Sequence, residues 1–559
     1  MRLSALVSLA VALVSASGVV HASVLNSRQP NPDGVIVNLN NQLSLPHPHD
    51  TKIGSRAINL DTNNIQGLAM VGMRFMMIDF VFFNIVDPKT FKAKLKGDFF
   101  PHVTTAAQLA NPATQPAVAA NIAFSQKGMT LLGVNDNLGD PNFKTGQAAD
   151  AIRLGDPGTT KWHKEYQQGV MGVLSIASKD MDKIKAELEA IQKIFGSSLQ
   201  VAYTLHAHAR PGAGMGHEHF GWVDGITQPA IEGWDTAATI TPGQFVAKPG
   251  VILLGEEGDN VPRPAWAKSG SFLCWRQLEQ LVPEFHKYLN ETAPDVKGLS
   301  RDDAVHLFGS RMNGRWKSVG VLAWGAPIDL APFREDEALG ADPLRRNNFN
   351  YDHPELKGFN MKTNQTMCPF SAHILRSRPR GHIKPEHPTS HMMRGGLPYG
   401  PEGTSFRACT VYERGKLITE NEVTEKEQAA KKTFSDQDPS LERGMAFGSC
   451  SRLVHEWARV LKSAIPLAAY QSNLENGFIF IQESLVNNPD FPAGTKTGVD
   501  PIVGSTNKGT VGDSLRVVKG MDWNDHNKAI NIQKDFVVTR GGEYFFSPPV
   551  SAIKGRLAQ

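Results

Sequence analysis

"GHEHFGWVDGITQPAIEGW", residues 216–234, sets two histidines and Asp224 among glycines in a stretch with few charges. "LHAHARPG" (205–212) lies just before it and adds His206 and His208. His206 and His208, like His217 and His219, are i, i+2 pairs, which put both side chains on one face of a strand, a spacing that zinc or copper can use. The bland reading is that one pair faces solvent and the other caps a loop. Asp224 lies between Val223 and Gly225, and Gly221 and Gly225 permit a tight turn and close approach of backbone to a flat ligand. A helix-capping role for Asp224 in "DGITQPA" is equally consistent with the spacing.

A chain of 559 residues exceeds one ordinary core, so two core-forming units are expected. The net charge of +3 is close to neutral for this length and gives no footprint for nucleic acid. Residues 1–22 read as a secretory signal: Arg2, then the apolar "LSALVSLAVALV", then "VHA" before Ser23. No later segment is apolar enough to span a membrane, since Arg74 and Asp79 interrupt "LAMVGMRFMMIDFVFFNIV" (68–86). Cys274, Cys368, Cys409 and Cys450 show neither a disulfide framework nor CxxC spacing. Asn290 ("NET") and Asn364 ("NQT") are glycosylation sequons compatible with the secretory route.

Residues 23–61 are polar and read as a propeptide or flexible leader. "FVFFNIVD" reads as a strand, "PKTFKAKLKGDFF" as a helix opened by proline, and "MDKIKAELEAIQKIF" (181–195) as an amphipathic helix on Ile184, Leu188, Ile191 and Phe195. "LQVAYTLHAHA" alternates as a strand does. "GVILLGEEGD" reads as strand and turn, and "SFLCWRQLEQLVPEFHKYLNETA" as a helix kinked near Pro283. Helices and strands mix without regular βαβ alternation, which favours α+β over a doubly wound sheet. The charged "TENEVTEKEQAAKKTFSDQD" reads as a solvated stretch without chemistry.

"GWVDGITQPAIEG" resembles the GxxDG motif of the dye-decolourising peroxidases, haem enzymes with a secreted fungal branch. The likeness extends, in family order, through "NIQGLAMVGM", "PAWAKSGSFLCWRQLEQLVPEF", "GRWKS", "GAPIDLAPFREDEALGADP", "CPFSAHILRSRPR", "RGGLPYGPEG" and "YQSNLENGFIFIQESLVNNPDFP", covering about residue 62 to the C-terminus. It implies an α+β fold of two ferredoxin-like units, each an antiparallel sheet with helices (the dimeric α+β barrel type), over 62–245 and 246–559. It implies one haem b, held mainly by the second unit, and peroxide-dependent one-electron oxidation of dyes and phenolics. His373 in "CPFSAHI" matches the proximal iron ligand, Asp224 the distal carboxylate and Arg394 the distal arginine. On this reading Asp224 shuttles a proton between the peroxide oxygens and Arg394 stabilises charge as the bond splits, while Gly225 lets the backbone approach the cofactor. An ordinary Asp ionises at a pKa of roughly 3.9, so an acidic activity optimum is predicted. Tyr399 in "LPYG" matches a surface electron relay of related enzymes, its bland alternative being a structural tyrosine.

Three departures stand out. Where the family commonly has a propionate-binding arginine, two residues after the proximal histidine, this chain has Leu375, leaving Arg376 or Arg378 as substitutes. "GSCSRLVHEWARVLKSAIPLAA" (448–469) intervenes between "RGMAF" and "YQSNLENGF" and has the length of a small translated intron, although part of it is amphipathic. It also leaves Ala469 where relatives carry an acid for the proximal imidazole, with Glu475 the nearest acid in sequence. "VGVLAW" (319–324) lengthens another passage. The rival functions are a haem-binding or iron-handling protein without efficient turnover, and a non-haem metal hydrolase using His206, His208, His217 and His219. The chain reads as a monomer, with a homodimer as the alternative.

Overall fold

The computed structural model describes residues 59–71, 77–210, 214, 216–226, 228–236, 239–317, 325–347, 349, 364–378, 391–395, 464–507 and 515–559, together with two short strand pairs at 29–30/36–37 and 412–413/416–417. The signal and most of the leader, "VGVLAW", Tyr399 and residues 448–463 lie outside them.

Eight strands make one antiparallel sheet: β1 (Met77–Ile85), β2 (Val118–Phe124), β3 (Gly172–Ser178), β4 (Leu199–His208), β5 (Ser271–Gln280), β6 (Met393–Arg394), β7 (Ala464–Gln471) and β8 (Val537–Ser547). Their spatial order is β6-β7-β5-β8-β2-β3-β1-β4. Within β1–β4 the order is second, third, first, fourth, and within β5–β8 it is the same. This is the ferredoxin-like arrangement twice over, joined where β8 meets β2 at Phe546–Phe124. Among the described residues the sheet stays open and does not close into a barrel.

Both faces are covered, so strands here carry apolar residues continuously. On β1, Val81, Phe83 and Ile85 enter one core and Ile78, Phe80 and Phe82 the other. Helix α1 (Pro88–Lys96) starts on the Asp87 carboxylate, which accepts from the backbone N–H of Lys89 and Thr90. Helix α2 spans Met181–Phe195, as its periodicity predicts, and buries Ile184, Ile191 and Phe195 while Leu188 packs at the margin.

The same double burial explains a misreading. "SFLCWRQLEQ" is strand β5, hydrogen-bonded to β7 on one side and β8 on the other. Buried on both faces it shows no period of two, and a run without period is easily taken for a buried helix. Pro283 kinks nothing: it lies in the first turn of helix α3 (Val282–Thr292), where its missing N–H costs no bond. "GVILLGEEGD" is also corrected. It forms a short 3-10 turn at Pro249–Val251, in which Gly250 lies so close to the 256–259 backbone that a Cβ there would meet the Asp259 nitrogen at 2.1 Å.

Residues 464–469 of the unusual 448–469 segment form most of β7 and pair with Glu279 to Cys274 of β5. The sheet therefore has a place for the last six of its residues.

Candidate active site

The 216–226 loop is a tight hairpin turned on Gly216, Gly221 and Gly225, with φ of 80°, 105° and 67°. Only glycine takes such angles without strain. The Glu218 N–H donates to the Trp222 carbonyl (2.8 Å), the Gly221 N–H to the Glu218 carbonyl (2.9 Å) and the Asp224 N–H to the Gly216 carbonyl (3.1 Å). Its apolar side is anchored: Phe220 packs on Phe285 of α3 at 4.3 Å, and Trp222 Nε1 donates to the Arg315 carbonyl at 2.8 Å.

At the base of this hairpin Asp224 meets Arg394. The guanidinium donates through Nη1 to Oδ1 (2.6 Å) and through Nη2 to Oδ2 (2.7 Å), the two-pronged geometry that arginine matches to a carboxylate. The Gly225 N–H adds a third donor to Oδ1 at 2.7 Å. Gln228 locks the loop to β6, giving its Nε2–H to the Arg394 carbonyl (2.8 Å) and accepting the Arg394 N–H (3.1 Å). Residues 170 apart in sequence thus form one unit.

His373 is the first residue of helix α5 (His373–Ser377). Its Nδ1 lies 2.6 Å from Oδ2 of Asp500, a fully buried carboxylate whose Oδ1 accepts the N–H of Ile502 (2.8 Å) and Val503 (3.0 Å). Burial alone would lower the His373 pKa, but the charge and hydrogen bond of Asp500 outweigh it, with help from Asp224 and Glu218, and raise it. Burial likewise pushes the Asp500 carboxyl up, and His373 with the two backbone donors more than reverses this. With Nδ1 held by a carboxylate, Nε2 is the nitrogen left to ligate a metal, an arrangement that orients the ring and raises its basicity. One imidazole backed by an acid, with an arginine–carboxylate pair whose charge it feels, is a donor set that fits haem iron.

Asp500 was missed in the sequence. The signal available was "VDPIVG" (499–504), an acid placed before proline inside an apolar run. Neither the position where relatives carry the acid nor the nearest acid in sequence takes this role. Ala469 is buried in β7, and Glu475 pairs with Arg153 and accepts from Asn142 at 3.0 Å.

Arg376 is a correction. All five of its N–H groups are spent inside the protein, on the carbonyls of Phe370 (3.0 Å), Leu485 (2.9 Å), Asn488 and Gly498 and on the Thr497 hydroxyl (3.4 Å). Burial pulls its pKa down to about 10. It ties α5 to the 485–498 chain and has no donor left for a propionate. Arg376→Met is therefore expected to destabilise the fold by about 3 kcal/mol or more, since it strips buried carbonyls of their donors. Thermal unfolding of the two proteins measures it. Arg378 is half-buried just past α5.

The histidines do not converge. His206 Nδ1 lies 2.9 Å from buried Asp79 while its side chain is mostly exposed, and His217 and His219 are buried within the hairpin. Among the described residues no three His, Cys, Asp or Glu side chains gather as metal ligands would. A cavity opening beside β5, lined by Asp156, Arg276, Leu278, Leu467 and Phe478 among others, includes none of His373, Asp224 and Arg394. Asn290 lies inside α3 with its amide on the His286 carbonyl (2.9 Å). Asn364 is half-buried and closes a turn onto the Thr366 N–H (2.9 Å).

Residues 64–211 match the family model described as the DyP dimeric alpha+beta barrel domain. The chain is 41% identical over 545 residues to Peroxidase 2 of Mycetinis scorodonius, covering 96% of this chain and 95% of that one. It is 42% identical over 531 residues to the dye-decolorizing peroxidase AauDyP1 of Auricularia auricula-judae, covering 93% and 91%. The crystal structure of AauDyP complexed with imidazole superposes with a TM-score of 0.73 at 41% identity, covering 90% of this chain and all of that one. Likeness of this extent, in sequence and in fold together, means that the chain belongs to the dye-decolourising peroxidases, a family of haem-dependent enzymes.

Proposed function

We propose that this protein is a secreted haem peroxidase that uses hydrogen peroxide to oxidise dyes and phenolic compounds in one-electron steps. The observation that carries the reading is the Asp224–Arg394 pair, at 2.6 and 2.7 Å, whose carboxylate charge reaches a His373 backed by Asp500.

When bound, one haem b per chain supplies the redox-active iron at which the peroxide O–O bond is cleaved. His373 Nε2 would hold that iron, and Asp500 keeps the ring oriented with its proton on Nδ1. Asp224 takes a proton from one peroxide oxygen and returns it to the other, so that water can leave. Both of its oxygens are engaged by the guanidinium, so proton transfer requires one of those bonds to be exchanged for the peroxide. Arg394 stays protonated and offsets the negative charge that develops on the departing oxygen. Gly225, without a side chain, lets the loop approach the cofactor closely. Bulky reductants would deliver electrons through a surface relay, for which Tyr399 is the candidate. The hydrolase alternative has no support in side-chain geometry, since the four histidines do not converge.

The apolar "LSALVSLAVALV" and the sequons at Asn290 and Asn364 support secretion of a glycosylated protein, which we take as a monomer. We take 62–245 and 246–559 as the two units, the division falling between β4 and β5. We also keep the translated-intron reading of 448–469. The sheet needs a strand directly before Tyr470, and without the segment "GMAF" would take the place now filled by Pro466–Ala469. Sequencing the transcript across the junction decides it.

The test is the visible spectrum of the haem-supplied protein, followed by dye oxidation against pH. A Soret band that shifts with one equivalent of peroxide and recovers with dye is expected, with an activity optimum in acid where a carboxylate base still works. A protein with no Soret band, or an alkaline optimum, would overturn this reading.

A further inference from the structure

We infer that Glu218 is a positioning residue for Asp224: its carboxylate fixes the hairpin that presents Asp224 to the peroxide. The inference rests on the reading of Asp224 as the proton carrier. Glu218 lies six residues before Asp224, on the far side of the same hairpin. Its Oε1 accepts the Trp222 N–H (2.8 Å), and its Oε2 accepts both the Phe220 N–H (2.8 Å) and the Nε2–H of Gln280 (2.8 Å). Three donors converge on it; burial raises its pKa, and Gln280, the two hairpin N–H groups and Lys317 oppose the shift. Two of them belong to the hairpin itself. The third comes from buried Gln280 at the end of β5, so the carboxylate rivets the loop to the central sheet.

Charged and titratable groups surround it on every side. Arg210, just beyond β4, donates to the Glu218 carbonyl at 3.0 Å. Lys317 lies over the Trp222 ring at 5.7 Å and presses on Gly221, where a Cβ would meet its side chain at 2.2 Å. Burial lowers the Lys317 pKa to about 8, and Glu218 opposes the shift. Behind them, burial and these cations hold His286 of α3 down to about 3, and His306, in helix α4 (Arg301–Asn313), is lowered as well. His217, His219 and Asp224 share the hairpin with it. Glu218 is thus the carboxylate that both shapes the loop and answers the positive side chains beneath it.

Asp224 has little tolerance for displacement, because misplacing a reacting group by about 1 Å can cost on the order of 100-fold. Glu218→Ala leaves two hairpin N–H groups without their acceptor and is expected to lower kcat/KM for hydrogen peroxide about 100-fold. Glu218→Gln keeps the size but turns an NH2 toward one donor, and about 10-fold is expected, with KM for dye unchanged. The loss should fall on the reaction with peroxide alone, which a general loosening of the fold would not produce. Gln280→Leu keeps the charge and removes only the outer rivet. It should give a smaller loss of the same kind, and it serves if the Glu218 variants fail to fold.

All rates are taken per bound haem by rapid mixing, alongside Asp224→Asn. Graded losses in the reaction with peroxide, with KM for dye unchanged, support the inference. Wild-type rates with peroxide per haem in both Glu218→Gln and Gln280→Leu, with only thermal stability lowered, overturn it. If Asp224→Asn itself reacts at the wild-type rate, what fails is the role of Asp224, and with it the premise.

Discussion

Asp224→Asn is expected to lower kcat/KM for hydrogen peroxide by about 100- to 10,000-fold, the range spanned by a positioned acid–base group. The substitution is close to isosteric. An asparagine oxygen can still accept the Gly225 N–H and one arm of Arg394, so the hairpin should keep its shape. What disappears is the ability to take a proton at neutral or acid pH. Arg394 remains to offset charge on the peroxide, which sets a floor above the uncatalysed rate. The loss should fall on the peroxide step alone, with haem content and KM for dye little changed. Rapid-mixing measurement of the reaction with peroxide separates that step from dye oxidation. A variant within a few-fold of the parent would remove Asp224 from the mechanism.

The second large effect belongs to Asp500, where a change should weaken haem retention about 10- to 100-fold. Asp500→Asn keeps volume in a site with no exposure, so cavity formation is not the cause. Its oxygen is claimed by the N–H groups of Ile502 and Val503, at 2.8 and 3.0 Å, which leaves the NH2 facing His373. To accept from that NH2 the imidazole must move its proton to Nε2, the nitrogen required by the iron. Loss of the buried carboxylate charge also removes support for the more oxidised metal, so the reduction potential should rise. Transfer of haem to an apo-globin acceptor measures the retention, and a spectroelectrochemical titration measures the potential. An unchanged potential with unchanged retention would mean that Asp500 only fills space.

Much of this was legible in the sequence, for identifiable reasons. Helix α2 was placed at Met181–Phe195 because one face packs and the other meets water, which imprints a period on the residues. Strand β1 stood out through its aromatic and β-branched content. Strand β5 did not, because it is covered on both faces and paired on both edges, and uniform burial leaves no alternation to read. Asp224, Arg394 and His373 were offered through the motifs around them, whereas Asp500 belongs to no such motif and lies 127 residues from the histidine that it holds.

The sequence alone determined the α+β class and the three residues offered for the chemistry, since short-range pattern and motif survive in one dimension. Only the tertiary structure decided the rest. It paired Asp224 with Arg394, gave His373 the carboxylate of Asp500, and took Arg376 away from the cofactor by filling its five donors with four backbone carbonyls and the Thr497 hydroxyl. The reason is physical. A buried charge must find its partners wherever the chain brings them, and contacts between residues far apart in sequence leave no local trace.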